Sequence, residues 1–391
     1  MNFDAVKQFM DHLTSWRIPG GSIAISIGGK VAFTYSAGYE SVENRVKMTG
    51  GELFNIFSCT KPVTVCAALQ LIEDGKISLD TPLYDIIPEY KYMYVKDSEG
   101  NVKKAKAPIT LWHLFTMTAG FTYNRNTPAI EKARVKTNGK MNTTEVIRAL
   151  ADEPLAFEPG ERWNYSLCHD VLGAVTEVVS GEKFCDYVKN NIFMPLDMNE
   201  SYFHNEGVID RVANMYRFED KTEDDIVKLQ AQDGCKDGRL INVGKSVDFI
   251  FGKEYDSGGA GITSSVGDYI KFATALSLGG IGANGERILK EKTVELLAQN
   301  QLSEAQRVNY TWPNLIGYGY GLGVRTMLNP ALAYGICNAG EFGWCGAAGA
   351  MLLVDRQYEL AMFYTQHMLN SQESYFMPRM RDALYRSIGK R

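Results

Sequence analysis

No apolar run in this chain is long enough to cross a bilayer, so the sequence gives no membrane span. The first residues, Met1-Asn2-Phe3-Asp4-Ala5-Val6-Lys7, lack a basic start followed by an apolar core. That leaves no secretory signal and points to the cytoplasm. A basic surplus is missing too. The net charge of -5, with no basic stripe carrying interleaved aromatics, argues against a nucleic-acid partner. The cluster Lys103, Lys104, Lys106 is short and reads as a solvated loop. Cysteine is present seven times, an odd number with no regular spacing and no C-x-x-C pair. Cys59, Cys66, Cys168, Cys185, Cys235, Cys337 and Cys345 therefore read as reduced thiols rather than a disulfide framework. The five histidines are scattered, so no metal and no cofactor is expected. There is also no G-x-S-x-G elbow, which removes support for a Ser-His-Asp hydrolase and leaves His113 and His169 with structural roles.

What is present is an ordinary globular composition, 45% hydrophobic and 22% charged over 391 residues, enough for one large or two interleaved domains. Phe3, Val6, Phe9, Met10 and Leu13 recur at helical spacing up to Trp16. Ile23, Ile25 and Ile27 then alternate, and Gly28-Gly29 turns the chain back into Val31 to Ala37. Val63 to Glu73 is a mostly apolar helix ended by Gly75. Lys91 to Ala107 reads as a loop or hairpin. Helices are expected from Ile109 to Phe115 with Thr110 as cap, from Thr143 to Ala151 with Thr143 or Thr144 as cap, from Val171 to Val179 and from Val266 to Leu278. Phe218 to Tyr255 has weak periodicity and many charges and reads as an insertion. Gly280, Gly282 and Gly285 match G-x-G-x-x-G, but a helix rather than a strand precedes them, so the match reads as a loop between helices. Strands return from Gly317, with Ala347 to Asp355 and Glu359 to Gln366 the most apolar, and Phe376 to Ile388 closes the chain as a helix. Strands at both ends with helices between them predict an α+β fold. One antiparallel sheet, flanked by helices, is built from residues 1–57 and 310–391. Residues 58–309 form a mostly helical lobe with the 218–255 insertion, and the active site lies between the two parts.

The chain is organised around Phe57-Ser58-Cys59-Thr60-Lys61-Pro62-Val63-Thr64. On a helix Ser58 and Lys61 sit one turn apart on one face. A serine hydroxyl needs a base before it is a useful nucleophile, and a lysine in a dry pocket can be that base. The spacing recurs at Ser180 to Lys183 and at Ser387 to Lys390, but neither leads into an apolar helix. Ser58 alone could equally be a helix N-cap. Two other stretches stand out: Tyr165-Ser166-Leu167 at the start of a helix, and Gly343-Trp344-Cys345-Gly346-Ala347-Ala348-Gly349 opening a strand. Taken singly, Tyr165 could be a helix-start aromatic and Trp344 a core side chain.

In this order the three stretches resemble the serine β-lactamase and penicillin-binding-protein superfamily. Connecting pieces match as well: Ile109-Thr110-Leu111-Trp112-His113-Leu114, Thr118-Ala119-Gly120, Glu158-Pro159-Gly160, and Ser257-Gly258-Gly259-Ala260-Gly261 with Asp268. The resemblance implies Ser58 as nucleophile, Lys61 as the base or proton shuttle beside it, and Tyr165 as second base. It also implies an oxyanion hole from the backbone N–H groups of Ser58 and Ala347, with donors worth ~3 kcal/mol each. Trp344, Cys345, Gly346 and Leu167 would line the substrate side.

Two departures set the expected branch. The family's second motif usually ends in asparagine, here Leu167, and its third usually begins with lysine or histidine, here Trp344. The asparagine serves an acyl amide and the cation serves a carboxylate, so both losses count against β-lactams and D-alanyl peptides. Tryptophan offers an apolar wall and one donor. The pattern resembles the esterase-type, class C-related branch and implies a carboxylesterase acting on small esters through an acyl-enzyme on Ser58. A β-lactamase, a D-amino-peptide hydrolase, an acyltransferase, and a non-catalytic binding protein on the same fold are the alternatives. The implied partner is a small-molecule ester or amide. The oligomeric state is not legible.

Overall fold

The computed structural model describes residues 1–220, 238–245, 251–333 and 335–390. Gly20–Ile27 (β1), Lys30–Ser41 (β2), Val46–Lys47 (β3) and Leu53–Asn55 (β4) come first. The middle supplies short strands only: Tyr94–Lys96 (β5), Val102–Lys104 (β6), Ser201–Tyr202 (β7), Met215–Asp220 (β8), Gly238–Gly244 (β9) and Thr263–Ser265 (β10). Tyr318–Tyr320 (β11), Arg325–Met327 (β12), Phe342–Cys345 (β13), Met351–Asp355 (β14) and Leu360–Gln366 (β15) close the series.

The fold is α+β, with an eight-stranded antiparallel sheet in the order β11-β12-β13-β14-β15-β1-β2-β3. The two ends of the chain meet at β1 and β15, where Ile23 faces Tyr364 and Ile25 faces Met362. The alternation in β1 predicts one buried face, but both are covered. Ser22 and Ser26 are as buried as Ile23 and Ile25, because β1 lies inside the sheet with helices over it. Gly28 and Gly29, at φ 57° and 77°, make the two-residue turn into β2, a conformation that glycine adopts without steric cost. β4 leaves this sheet and pairs with β10, which pairs with β7, so the N-terminal segment contributes to both sheets.

The helix Thr60–Glu73 is buried on nearly all sides. Val63, Val65, Leu69 and Leu71 are each fully buried and contribute about 1.5–3 kcal/mol apiece, which helps offset the cost of enclosing the Lys61 ammonium in the same helix. It packs on the helix Cys168–Ser180, which ends at Gly181 with φ 77°. The helix Thr143–Leu150 is capped one residue earlier than its sequence suggests. Asn142 accepts from the Glu145 N–H at 2.9 Å while Glu145 accepts from the Asn142 N–H at 3.0 Å. The 94–104 region is the expected hairpin, and Gly280 to Gly285 lies in the loop after the helix Val266–Ser277. Of the 218–255 stretch, residues 218–220 and 238–244 belong to a β8–β9 hairpin, and 251–255 run back to the helical part, where Glu254 bridges to Asn142. Residues 221–237, Cys235 among them, and 246–250 lie outside the described residues. The other six cysteines are free thiols. No helix among the described residues is long and apolar enough to cross a membrane.

Candidate active site

β4 delivers the chain to a tight turn, Phe57–Cys59, that runs straight into the helix Thr60–Glu73. Phe57 sits at φ 47°, a left-handed conformation that is strained for a residue with a side chain. Its ring is held by Met215, Ala260 and Ala348. The strain turns Ser58 out at the mouth of the helix. The N-cap alternative is not what its hydroxyl does, since the cap position falls on Cys59. Ser58 Oγ instead receives Lys61 Nζ at 3.1 Å and shares a 2.5 Å hydrogen bond with the Tyr165 hydroxyl.

Lys61 has no exposed surface. Its Nζ donates to the Gly259 carbonyl at 2.7 Å and to the Tyr123 hydroxyl at 3.3 Å as well as to Ser58. Burial pulls the ammonium down, but the Tyr123 and Tyr165 oxygens and the Asp170 carboxylate around it outweigh that and leave Lys61 above the usual lysine range. At neutral pH Lys61 is therefore a fixed cation. The loop that presents the Gly259 carbonyl is itself held by a buried carboxylate. Asp170 Oδ1 accepts from Tyr255 OH at 2.6 Å, Ser257 Oγ at 2.7 Å and the Gly259 N–H at 3.2 Å. A Cβ on Gly259 would stand 2.4 Å from Asp170 Oδ2, so only glycine fits there. Replacing Asp170 by Asn keeps an acceptor at Oδ1 but removes the negative charge, which weakens all three contacts and loosens the loop under Lys61. The expected result is a fall in kcat/KM of about 10²-fold, measured on any turned-over ester, with the far-UV CD spectrum retained. Wild-type kinetics in Asp170→Asn would show that the loop needs no such support.

Tyr165 stands in a stack of aromatic rings, with Tyr123 at 5.3 Å on one side and Trp344 at 5.7 Å on the other. Trp312 meets it edge-on at 5.2 Å. Lys61 Nζ lies 4.6 Å from the Tyr165 ring centroid. The third stretch comes in from the sheet. Gly346 lies so close to the nucleophile turn that a Cβ on it would meet the Ile56 carbonyl at 2.2 Å, and Cys59 Sγ donates to the Trp344 carbonyl at 3.6 Å. Among the described residues the N–H groups of Ser58 and Ala347 donate to no protein acceptor, and both residues line one cavity of about 190 Å³. Tyr165, Trp312, Leu315, Trp344, Cys345, Gly346, Arg325 and Glu373 complete its lining.

Of the residues singled out by sequence, Ser58, Lys61, Tyr165, Trp344, Cys345, Gly346 and Ala347 come together here. Leu167 does not. It is 2% exposed in the core, its N–H donates to the Thr122 carbonyl, and it is absent from the cavity wall, so the substrate-side expectation for it is corrected. The third stretch also differs from expectation. Trp344 and Cys345 end strand β13 and the glycines form the turn to β14, because Gly346 N–H donates to the Ala350 carbonyl at 2.8 Å and closes the hairpin before a strand could start at Ala347. Tyr123, Asp170, Trp312, Arg325 and Glu373 were not foreseen. Only Asp170 carried a local signal, a carboxylate in the first turn of a mostly apolar helix. His169 is fully buried and pushed down to about 3, mainly by burial and then by the Lys61 charge, so it is neutral and structural. His113 accepts from the Thr110 N–H at 2.9 Å within its own helix start.

Elsewhere, Cys185, His204 and Asp256 place a thiol, an imidazole and a carboxylate within 4.8 Å of one another. His204 Nε2 pairs with Asp256 Oδ1 at 2.7 Å, and burial followed by the Asp256 charge pushes the Cys185 thiol up to about 12. The cluster is satisfied internally as a protonated thiol and an ion pair.

Comparison with known proteins agrees with this geometry. The esterase EstB of Burkholderia gladioli is 28% identical over 394 residues, covering 98% of this chain and 94% of EstB. The lovastatin esterase of Penicillium rubens is 35% identical over 159 residues, 39% of this chain and 40% of that one. The solved structure of EstCE1, described as a hydrolase with promiscuous acyltransferase activity, superposes with a TM-score of 0.76 at 24% identity and covers 98% of both chains. The family model described as Beta-lactamase matches residues 4–389. Over residues 4–389, nearly its whole length, the chain thus belongs to the beta-lactamase family, and it is a serine hydrolase.

Proposed function

We propose that this chain is a carboxylesterase that acts on small esters through an acyl-enzyme on Ser58. The observation that carries the reading is the hydroxyl of Ser58 held between Lys61 Nζ at 3.1 Å and Tyr165 OH at 2.5 Å on the wall of a largely apolar cavity. Lys61 is held cationic, so the group that takes the serine proton is Tyr165, whose oxygen must first give up its own proton to accept it. Ser58 Oγ attacks the ester carbonyl and its proton passes to Tyr165. The oxyanion is held by the Ser58 and Ala347 N–H groups. The C–O bond to the alcohol then breaks and Tyr165 returns the proton to the leaving oxygen. A water repeats the sequence against the acyl-enzyme, giving the acid and free Ser58. Lys61 favours negative charge at both oxygens throughout without moving.

The choice of ester over β-lactam rests on the cavity wall. Trp344 occupies the position where relatives hold a carboxylate with a cation, and it is stacked on Tyr165 and edge-on to Tyr320 at 5.3 Å. EstB and the lovastatin esterase, both named as esterases, support the same choice. The expected result is a kcat/KM for a short p-nitrophenyl ester about 10³-fold above that for a chromogenic cephalosporin. Equal or reversed values would return the chain to the β-lactam-cleaving branch. Acceleration by a small added alcohol, with ester rather than acid as product, would mark it as an acyltransferase.

A further inference from the structure

The lining of the cavity beside Ser58 includes two charged side chains that the acyl chemistry does not use. Glu373 opens the closing helix and Arg325 lies on β12, and both reach the cavity wall. The Glu373 carboxylate accepts from Asn314 Nδ2 at 2.5 Å. Burial pushes its carboxyl up, against the lowering pull of Cys345, Arg325 and Asn314. Arg325 is 1% exposed. Its Nη2 donates to the Leu352 carbonyl at 3.1 Å and faces Glu341 Oε1 at 3.6 Å, and its Nη1 reaches Cys345 Sγ at 3.8 Å. Its Nε has no hydrogen-bond partner among the described residues. A buried N–H without an acceptor is destabilising, so a site that keeps one has a use for it when filled.

Trp312, Leu315 and Trp344 make much of the lining apolar, while Arg325 and Glu373 add a donor and an acceptor of opposite charge. A carboxylate placed there would face Glu373, and an ammonium would face Arg325. A neutral hydroxyl satisfies both, accepting from the guanidinium and donating to the carboxylate. The volume of about 190 Å³ equals roughly six waters, which limits the occupant to a short chain. The acyl group stays bonded to Ser58 through both half-reactions, whereas the alcohol must leave before water enters, so the walled cavity suits the acyl arm.

Building on the acyl-enzyme reading above, we propose that the cavity selects short acyl chains ending in a neutral hydroxyl, held between Glu373 and Arg325. The test is steady-state hydrolysis of matched p-nitrophenyl esters: heptanoate, 6-hydroxyhexanoate, 6-aminohexanoate and the monoester of adipic acid. The expected kcat/KM is about tenfold higher for the hydroxyl-ended chain than for the methyl-ended or either charged one. Glu373→Met keeps the chain length and removes the acceptor, and the hydroxyl-to-methyl ratio is expected to fall to one or below. A wild-type ratio at or below one, a preference for either charged end, or a full preference retained in Glu373→Met would each overturn the assignment while leaving the esterase standing. Failure to cleave any of the four would remove the acyl-enzyme reading and this assignment with it.

Discussion

Ser58→Ala is expected to lower kcat/KM for an activated ester by at least about 10⁴-fold. The magnitude follows from what the oxygen does. Every bond made to the acyl group in the proposed sequence is made by Ser58 Oγ, and no other hydroxyl in the cavity is placed between a cation and a proton acceptor. Tyr123 meets Lys61 at 3.3 Å but is not part of the cavity wall. What remains in the variant is the oxyanion site and the aromatic walls, which still bind and polarise an ester for attack by water. The fold should be untouched, because the lost group is a small hydroxyl 9% exposed and its removal creates almost no cavity. Residual turnover within tenfold of wild type in a pure preparation would mean that another group carries the chemistry.

The second large effect is expected for Lys61→Met, and it lowers activity and stability together. Methionine fills nearly the same volume and keeps the packing of the helix Thr60–Glu73. Among the described residues it removes the only charge in contact with Ser58 Oγ and the only donor to the Gly259 carbonyl. Without the cation, neither the tyrosine oxygen nor the serine oxygen has a partner for developing negative charge, and kcat/KM should fall about 10³-fold. Stability should fall as well. Burial alone disfavours the ammonium, but its three hydrogen bonds and the nearby Asp170 carboxylate outweigh that, which is why Lys61 lies above the usual lysine range. A lowered Tm with activity lost is the expected pair of results, read by calorimetry and ester hydrolysis on one preparation. A raised Tm would show that the cost of burying the ammonium exceeds what its partners return.

The sheet was legible in the sequence because its strands at both ends are apolar and glycine-bounded, and antiparallel pairing of the ends follows from their having no other partner of similar length. The nucleophile region was legible for a different reason. Ser58, Lys61 and the start of their helix are local, so spacing along the chain reports spacing in space. Tyr165 and Ala347 became legible only through the order of the three stretches. The rest of the site is assembled from distance. Trp312 sits in a loop before β11, Arg325 on β12 and Glu373 at the start of the closing helix, and nothing near any of them in sequence differs from ordinary core or surface. Leu167 shows the opposite failure. It stands where relatives carry a polar group, but the first turn of the helix Cys168–Ser180 rotates its side chain into the core. Position in a motif told which residue to look at, and the backbone decided that it faces away.

The measurement that bears most directly on the acyl-enzyme is intact-protein mass spectrometry after brief exposure to a short p-nitrophenyl ester, followed by peptide mapping, with a penicillin in a parallel sample. The account predicts a mass increase of one acyl group from the ester, mapped to the peptide containing Ser58, lost on standing, absent in Ser58→Ala, and no lasting adduct from the penicillin. An adduct on any other residue, or ester turnover in which no acyl-protein can be trapped at all, would contradict it.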